Sequence, residues 1–215
     1  MSADARIKFS KIGRLQFISH LDLVRTMKTA LFRAGIPMKY SEGFNPHPKI
    51  AFVMQLSVGA QSVCEYMDIG LSEDIPFDVI TDRLRANLTP ELYVQDTFAP
   101  VHKAHDVGFA EYDITYDCPA EEAPVFASLI TDPLLVMKKT KSGDPKETDI
   151  RPMILRWSQE GSKLNIVLSA GDAKYLNPEY IAKLPLSLPG GESKYCDYSI
   201  MRKKVYLADG FTEFC

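Results

Sequence analysis

Residues 20–35, HLDLVRTMKTALFRAG, put Leu23, Val24, Met27, Leu31 and Ala34 on one stripe at spacings of three and four, with Arg25, Lys28 and Arg33 off it. A stripe of this kind obliges a helix to lie on an apolar layer. Its ends are written locally: Ser19 with Asp22 three residues on is an acidic variant of the capping box, and Gly35 and Pro37 stop the helix. On both sides of it the hydrophobic period falls to two. Ile7 and Phe9, then Leu15 and Phe17, alternate around a Lys11–Arg14 interruption, which predicts a bulged strand or two short strands paired at Gly13.

Continuing along the chain, residues 49–56 and GAQSVCEYMDIGLS predict strands, and IPFDVITDRLRANLT carries Phe77, Ile80, Leu84 and Leu88 at helical spacing behind Pro76. ELYVQDTFAPV predicts another strand. The order strand, helix, strand, strand, helix, strand over residues 6–101 is that of the split βαβ, ferredoxin-like unit. HKAHDVGF, residues 102–109, reads as a linker. From residue 110 the order starts again, with strands at AEYDITYDC and LLVMKKT, a short helix at APVFASLIT, a loop at KSGDPKET, a hairpin of DIRPMILRWS with KLNIVLSA, a short helix at LNPEYIAKL and a last strand at CDYSIMRKKVYL. The expected fold is therefore α+β, with two ferredoxin-like (βαββαβ) units in tandem, 1–101 and 110–215, the second distorted. No sequence-level repeat accompanies this parallel.

Composition narrows the class of function. Of 215 residues 46% are hydrophobic and 25% charged, the balance of a globular chain. No apolar run reaches the ~18 residues of a membrane span, and MSADARIKFS has no apolar leader core, so a cytoplasmic protein without a membrane partner is expected. Cys64, Cys118, Cys196 and Cys215 lie in no CxxC-type spacing, which predicts reduced thiols and neither an iron–sulfur cluster nor a cysteine zinc site. His102 and His105 make an HxxH pair without further ligands in view and read as solvated linker residues, so no metal or cofactor is expected. GxxxxGK[ST], HExxH and GxSxG are absent. Trp157 is expected in the core.

The net charge of −3 hides a segregation. Residues 1–50 hold nine Lys and Arg against three Asp and Glu, residues 51–133 three against fifteen, and residues 134–215 thirteen against ten. A basic opening in an acidic chain suits a localised face for a polyanion.

Within that basic stretch, MKYSEGFNPHPKIAF concentrates Lys39, Tyr40, Ser41, Phe44, Asn45, His47 and Lys49. Gly43, Asn45, Pro46 and Pro48 are also what a well-made turn selects, so site and turn both fit. Pro46 and Pro48 restrict His47 from both sides. The set offers donors for phosphate and rings for stacking on a base. Arg14, Ser19 and His20 gather at a helix N-terminus, where an anion is favoured, and Arg25 adds charge. His20 and His47 would be the acid and base if the chain cleaved phosphodiesters or modified RNA. Asp149–Pro152, DIRP, forms a second polar cluster behind Lys138, Lys139 and Lys141, with Arg151 as its candidate contact.

FSKIGRLQFISHLDLVRTMKTALFRAGIPMKYSEGFNPHPKIAF, the EYMDI strand at Glu65–Ile69 and DIRP at Asp149–Pro152 occur in the order of the radical-SAM-linked protein family, a bacterial domain of unknown function that this chain resembles over nearly its whole length. The resemblance implies a partner: members are fused to, or encoded beside, a radical-SAM protein with a cobalamin-binding region, often near genes for an E/G-type ribonuclease and a ribosomal protein. Lacking cluster cysteines, the chain resembles the stand-alone module rather than the radical enzyme. Its element order is also similar to that of CRISPR repeat-processing endonucleases, a likeness of fold alone. The function expected is an accessory module that presents a substrate, RNA first among the choices, to a radical-SAM partner. The alternatives are a metal-independent ribonuclease or RNA-modifying enzyme using His20 and His47, and a protein-interaction module.

Overall fold

The computed structural model describes residues 4–139, 144–171 and 174–215. It divides the chain into two compact units, Met1–His105 with Cys215, and Asp106–Phe214. The fold is α+β.

The first unit runs β1 (Ala5–Lys11), α1 (His20–Arg33), β2 (Ile50–Phe52), β3 (Ala60–Ile69), α2 (Phe77–Asn87) and β4 (Val94–Phe98). Its strands pair in the order β2-β3-β1-β4, every pair antiparallel. Alternation along β1 sends Ile7 and Phe9 into a core with Met67 and Ile69 of β3, Leu23, Met27 and Leu31 of α1, and Ile80 and Leu84 of α2. Both helices thus cover the same face of the sheet.

On the opposite face Arg6 and Asp68 stand directly across β1 and β3. Arg6 is fully buried and bonds Asp68 twice, Nε to Oδ1 at 2.6 Å and Nη2 to Oδ2 at 2.9 Å, while Nη1 donates to the Cys215 carbonyl at 2.9 Å. A buried guanidinium is tolerated here because the carboxylate meets its fork in bidentate geometry and the remaining nitrogen is also bonded.

Helix α1 starts and stops where its sequence says. The Asp22 N–H donates to Ser19 Oγ at 3.1 Å. At the other end Gly35 takes φ +62°, and Gly35 and Ile36 N–H groups donate to the Phe32 and Leu31 carbonyls at 3.1 Å each. These two bonds form a Schellman turn, which requires the left-handed residue that glycine supplies. The helix predicted behind Pro76 forms as α2, with Pro76 as its N-cap rather than inside its first turn.

Two predictions for this unit fall short: of the strand expected over residues 49–56 only Ile50–Phe52 forms, and no second short strand forms directly after Gly13. Leu15 and Phe17 belong to a 3-10 turn, Gly13–Phe17, and not to a second strand. Gly13 takes φ +61°, its N–H donates to Gln61 Oε1 at 2.9 Å, and the Arg14 N–H donates to Glu91 Oε1 at 2.8 Å. Side chains 48 and 77 residues away thus fix the turn. The bulge itself is present, as a register shift between Phe9 and Lys11 in the pairing of β1 with β3.

The second unit comprises β5 (Val107–Tyr116), α3 (Phe126–Leu129), β6 (Leu135–Lys139), β7 (Pro145–Asp149), β8 (Ile154–Glu160), β9 (Lys163–Gly171), β10 (Lys174–Tyr175), α4 (Glu179–Ala182), α5 (Gly191–Lys194) and β11 (Tyr198–Leu207). Strand β9 pairs β5, β5 pairs β11, and β8 and β10 both pair β9, all antiparallel. Ala110, Tyr112, Ile114 and Tyr116 alternate inward from β5, and the Tyr116 hydroxyl donates to the Ala182 carbonyl at 2.7 Å. Strand β5 begins at Val107, so residues 107–109 of the expected linker are strand. Of the loop expected at 141–148, residues 141–143 lie outside the described residues, while Pro145–Asp149 forms β7 on β6. PKETD carries no apolar alternation to announce a strand. Trp157, expected in the core, is only partly buried on β8.

Among the described residues no helix is long and apolar enough to cross a membrane. None of the four cysteines is in a disulfide.

The Arg6–Asp68 pair yields a stability prediction. Asp68→Ala strands a buried guanidinium and is expected to lower the unfolding free energy by about 3–5 kcal/mol, whereas Arg6→Met with Asp68→Leu recovers most of that loss. Urea denaturation of the three proteins checks it.

Candidate functional site

MKYSEGFNPHPKIAF folds as a hairpin whose two arms close over Gly70 and whose end, Ile50–Phe52, pairs with β3. Met38 bridges Leu71 and Tyr40 bridges Pro48, both antiparallel. The Lys39 N–H donates to the Gly70 carbonyl at 2.8 Å, the Gly70 N–H to the Lys49 carbonyl at 2.9 Å, and the Lys49 N–H to the Lys39 carbonyl at 2.8 Å. A Cβ on Gly70 would meet the Cβ atoms of Lys39 and Lys49 at 3.3 Å each, so the two arms close tightly over a residue without a side chain.

Above the anchor, Ser41 fixes His47 twice. The Ser41 N–H donates to the His47 carbonyl at 2.8 Å, and the His47 N–H donates to Ser41 Oγ at 3.0 Å. The serine hydroxyl thus holds the turn, and the imidazole stays exposed. Beyond it the tip is exposed, with Gly43 at φ +130°, Asn45 open to solvent and Phe44 wholly outside the protein.

Lys39 also reaches the chain's beginning, its Nζ donating to Asp4 Oδ2 at 2.8 Å, and the same oxygen accepts the Leu71 N–H at 2.8 Å. The Lys39 hydrogen bond first, then that from Leu71, holds the Asp4 carboxyl below the usual carboxylate range, with Lys49 adding a weaker pull. Lys49 itself is half-buried and has no ion-pair partner among the described residues.

The other candidates of this unit lie around the start of α1. Arg14 is exposed on the 3-10 turn, its side chain without an ion pair among the described residues. His20 is the first residue of α1 and packs edge-on against Phe52, ring centroids 5.2 Å apart. Its neighbours are already engaged: Ser19 Oγ donates to Asp22 Oδ2 at 2.7 Å, and Arg25 bonds Asp22 Oδ1 at 3.2 Å. The Ser19 hydroxyl, ahead of Arg25, holds the Asp22 carboxyl low. The positive end of α1 therefore has a carboxylate of its own, which weighs against the anion expected there. Among the described residues neither imidazole, His20 nor His47, hydrogen-bonds the other.

Arg151 belongs to the second unit. Asp149 Oδ1 accepts the Leu134 and Arg151 N–H groups at 3.0 Å each, and Arg151 Nη1 reaches the Ile154 carbonyl at 3.4 Å. DIRP thus ties the entry of β6 to a 3-10 turn, with Ile150 fully buried between its polar neighbours. Lys141 lies outside the described residues.

Two recesses flank the hairpin. One, of about 660 Å³, is lined by Asp4, Glu73 and Asp74 with Lys39 as its cation, and repels an anion. The other, of about 260 Å³, runs between α1 and the hairpin base, lined by Lys28, Phe32, Gly35, Met38, Tyr40 and Pro48. Lys28 and Phe32 were not singled out as site residues from the sequence. Their signal is an aromatic side chain on the polar face of an amphipathic helix, one turn after a lysine.

A family model described as an uncharacterized protein conserved in bacteria (DUF2344) matches residues 5–178. The chain belongs to this family. The match spans the hairpin, both helices of the first unit and the DIRP segment. A comparison with curated proteins gives no match. Among the described residues no group of three or more His, Cys, Asp or Glu is placed to hold a metal ion, and His102 Nδ1 lies 3.6 Å from Cys215 Sγ.

The Asp4–Lys39 contact sets a pH prediction. A carboxyl lowered by folding stabilises the native state above its unfolded pKa, in the ordinary aspartate range, and that contribution is lost as pH falls through the lower folded value. Wild type is expected to exceed Lys39→Met in stability by a constant margin from pH 7 to about pH 5, shrinking towards pH 2. Chemical denaturation across that range measures the margin, and a margin that grows on acidification contradicts the assignment.

Proposed function

We propose that this chain is an accessory module that holds RNA for a partner enzyme, with the hairpin and α1 of the first unit as the holding face. The observation that carries the reading is the hairpin tip: Phe44 stands wholly in water at the end of a loop whose base is closed by the Ser41–His47 bonds and the Tyr40–Pro48 bridge. Leaving a phenylalanine in water forgoes about 1.5–3 kcal/mol of burial that a partner can supply.

Charge favours a polyanion as that partner. Arg14, Lys28, Arg33 and Lys49 have no ion pair among the described residues of this basic stretch. Cations position a phosphate backbone, and exposed rings take unstacked bases. Holding is favoured over cutting, because His20 packs edge-on against Phe52 at the start of α1 while His47 stands exposed on the hairpin.

The strand order β2-β3-β1-β4, with both helices on one face, supports a ferredoxin-like plan for the first unit. The pairing of β8 and β11 around β9 and β5 supports a distorted second copy. The partner we favour is a radical-SAM protein with a cobalamin-binding region, working in the cytoplasm, in line with the sequence resemblance. Any such reaction would be the partner's.

Gel shifts with total tRNA and ribosomal RNA fragments at rising salt test the RNA reading. Binding is expected to weaken with salt, and Arg14→Ala or Lys49→Ala each to lower the salt slope by about one. No binding at low salt, or binding without a salt slope, sinks it.

A further inference from the structure

The cleft between α1 and the hairpin owes its shape to local chemistry. The Schellman turn at Gly35 reverses the chain, so Met38–Tyr40 returns past the last turns of α1. The Tyr40–Pro48 bridge then sets the second wall. Phe32, 78% exposed, and Tyr40, 50% exposed, line it, while Leu31 and Met38 are buried beneath. Lys28, one helical turn before Phe32, also lines the cleft. Neither the Lys28 ammonium nor the Tyr40 hydroxyl has a protein partner among the described residues.

Two exposed rings, an apolar floor and two unpartnered polar heads match a flat apolar ligand with a polar edge and an attached anion. At about 260 Å³ the cleft lies just under the range for drug-sized ligands, room for a single ring system and not for a helix or an extended peptide. In duplex RNA the bases stay stacked with their faces covered, so within an RNA it is an unpaired nucleotide that offers this combination.

We infer that the cleft between Phe32 and Tyr40 takes one unpaired nucleobase of an RNA single strand, with Lys28 on the adjoining phosphate. This rests on the RNA reading above and deepens it: the module selects single-stranded segments. Phe44 at the hairpin tip offers a second ring to the same strand.

The test titrates the full chain into a single-stranded RNA oligonucleotide carrying 2-aminopurine, and into the duplex formed with its complement, at low salt. The single strand is expected to bind at least tenfold more tightly and its fluorescence to be quenched. Phe32→Ala and Tyr40→Ala are each expected to weaken binding about tenfold and relieve the quench at an unchanged salt slope, while Tyr40→Phe keeps the stacking. Both positions are exposed, and an unchanged urea midpoint verifies that the variants fold. Equal affinity for the duplex, or aromatic variants that bind like wild type, overturns the inference and leaves the RNA reading standing. No binding to either RNA overturns both.

Discussion

Gly70 is where the first unit's sheet takes hold of its hairpin. It follows the last residue of β3, and its carbonyl and N–H are bonded to the two arms, Lys39 on one side and Lys49 on the other. The arms can approach this closely because no side chain intervenes. Everything above that point, the Ser41–His47 closure and the exposed tip, is short-range structure standing on a sheet-borne anchor. Together with the Ser41–His47 closure and the β2–β3 pairing it holds the hairpin in place, and a fixed placement lowers the ordering cost of recognition.

Ion pairing inside the unit changes what its formal charge means. Residues 1–50 hold nine basic residues, yet Arg6 is bound to Asp68, Arg25 to Asp22 and Lys39 to Asp4. Each pair removes a cation from the field that a partner would feel. Lys11 is buried with its Nζ on the Gln16 carbonyl and Lys8 lies over the Tyr66 ring, so what stays available is a sparser set, Arg14, Lys28, Arg33 and Lys49, set among exposed rings. Such a surface suits a chain of spaced phosphates with exposed bases better than a dense run of negative charge.

Local signals carried much of the fold. Ser19 and Gly35 mark α1 because capping depends on residues within a turn of the helix end, and the β5 alternation was legible because one face of it is buried. The 3-10 turn at Gly13 was illegible because Gln61 and Glu91 impose it from far along the chain. Strand β7 was illegible because PKETD is polar throughout and owes its strand to pairing with β6. At the candidate site the hairpin's donors and rings were visible as a cluster. Lys28 and Phe32 were not, since they join that cluster only when the chain doubles back at Gly35.

The sequence by itself determined the ends of α1, the succession of strands and helices along the first unit, the basic character of the opening fifty residues and the turn chemistry of GFNPHPK, because each rests on contacts between near neighbours or on a count of charges. Tertiary structure alone decided which cations are neutralised, that Gly70 anchors the hairpin, that Asp149 and Arg151 hold a turn, and that Phe32 and Tyr40 line one cleft. The Arg6–Asp68, Lys39–Asp4 and Gly70 contacts depend on residues tens of positions apart meeting in space, and Phe32 joins Tyr40 in one cleft only because the chain doubles back at Gly35. Backbone pairing and burial set such meetings, and local sequence preference does not encode them.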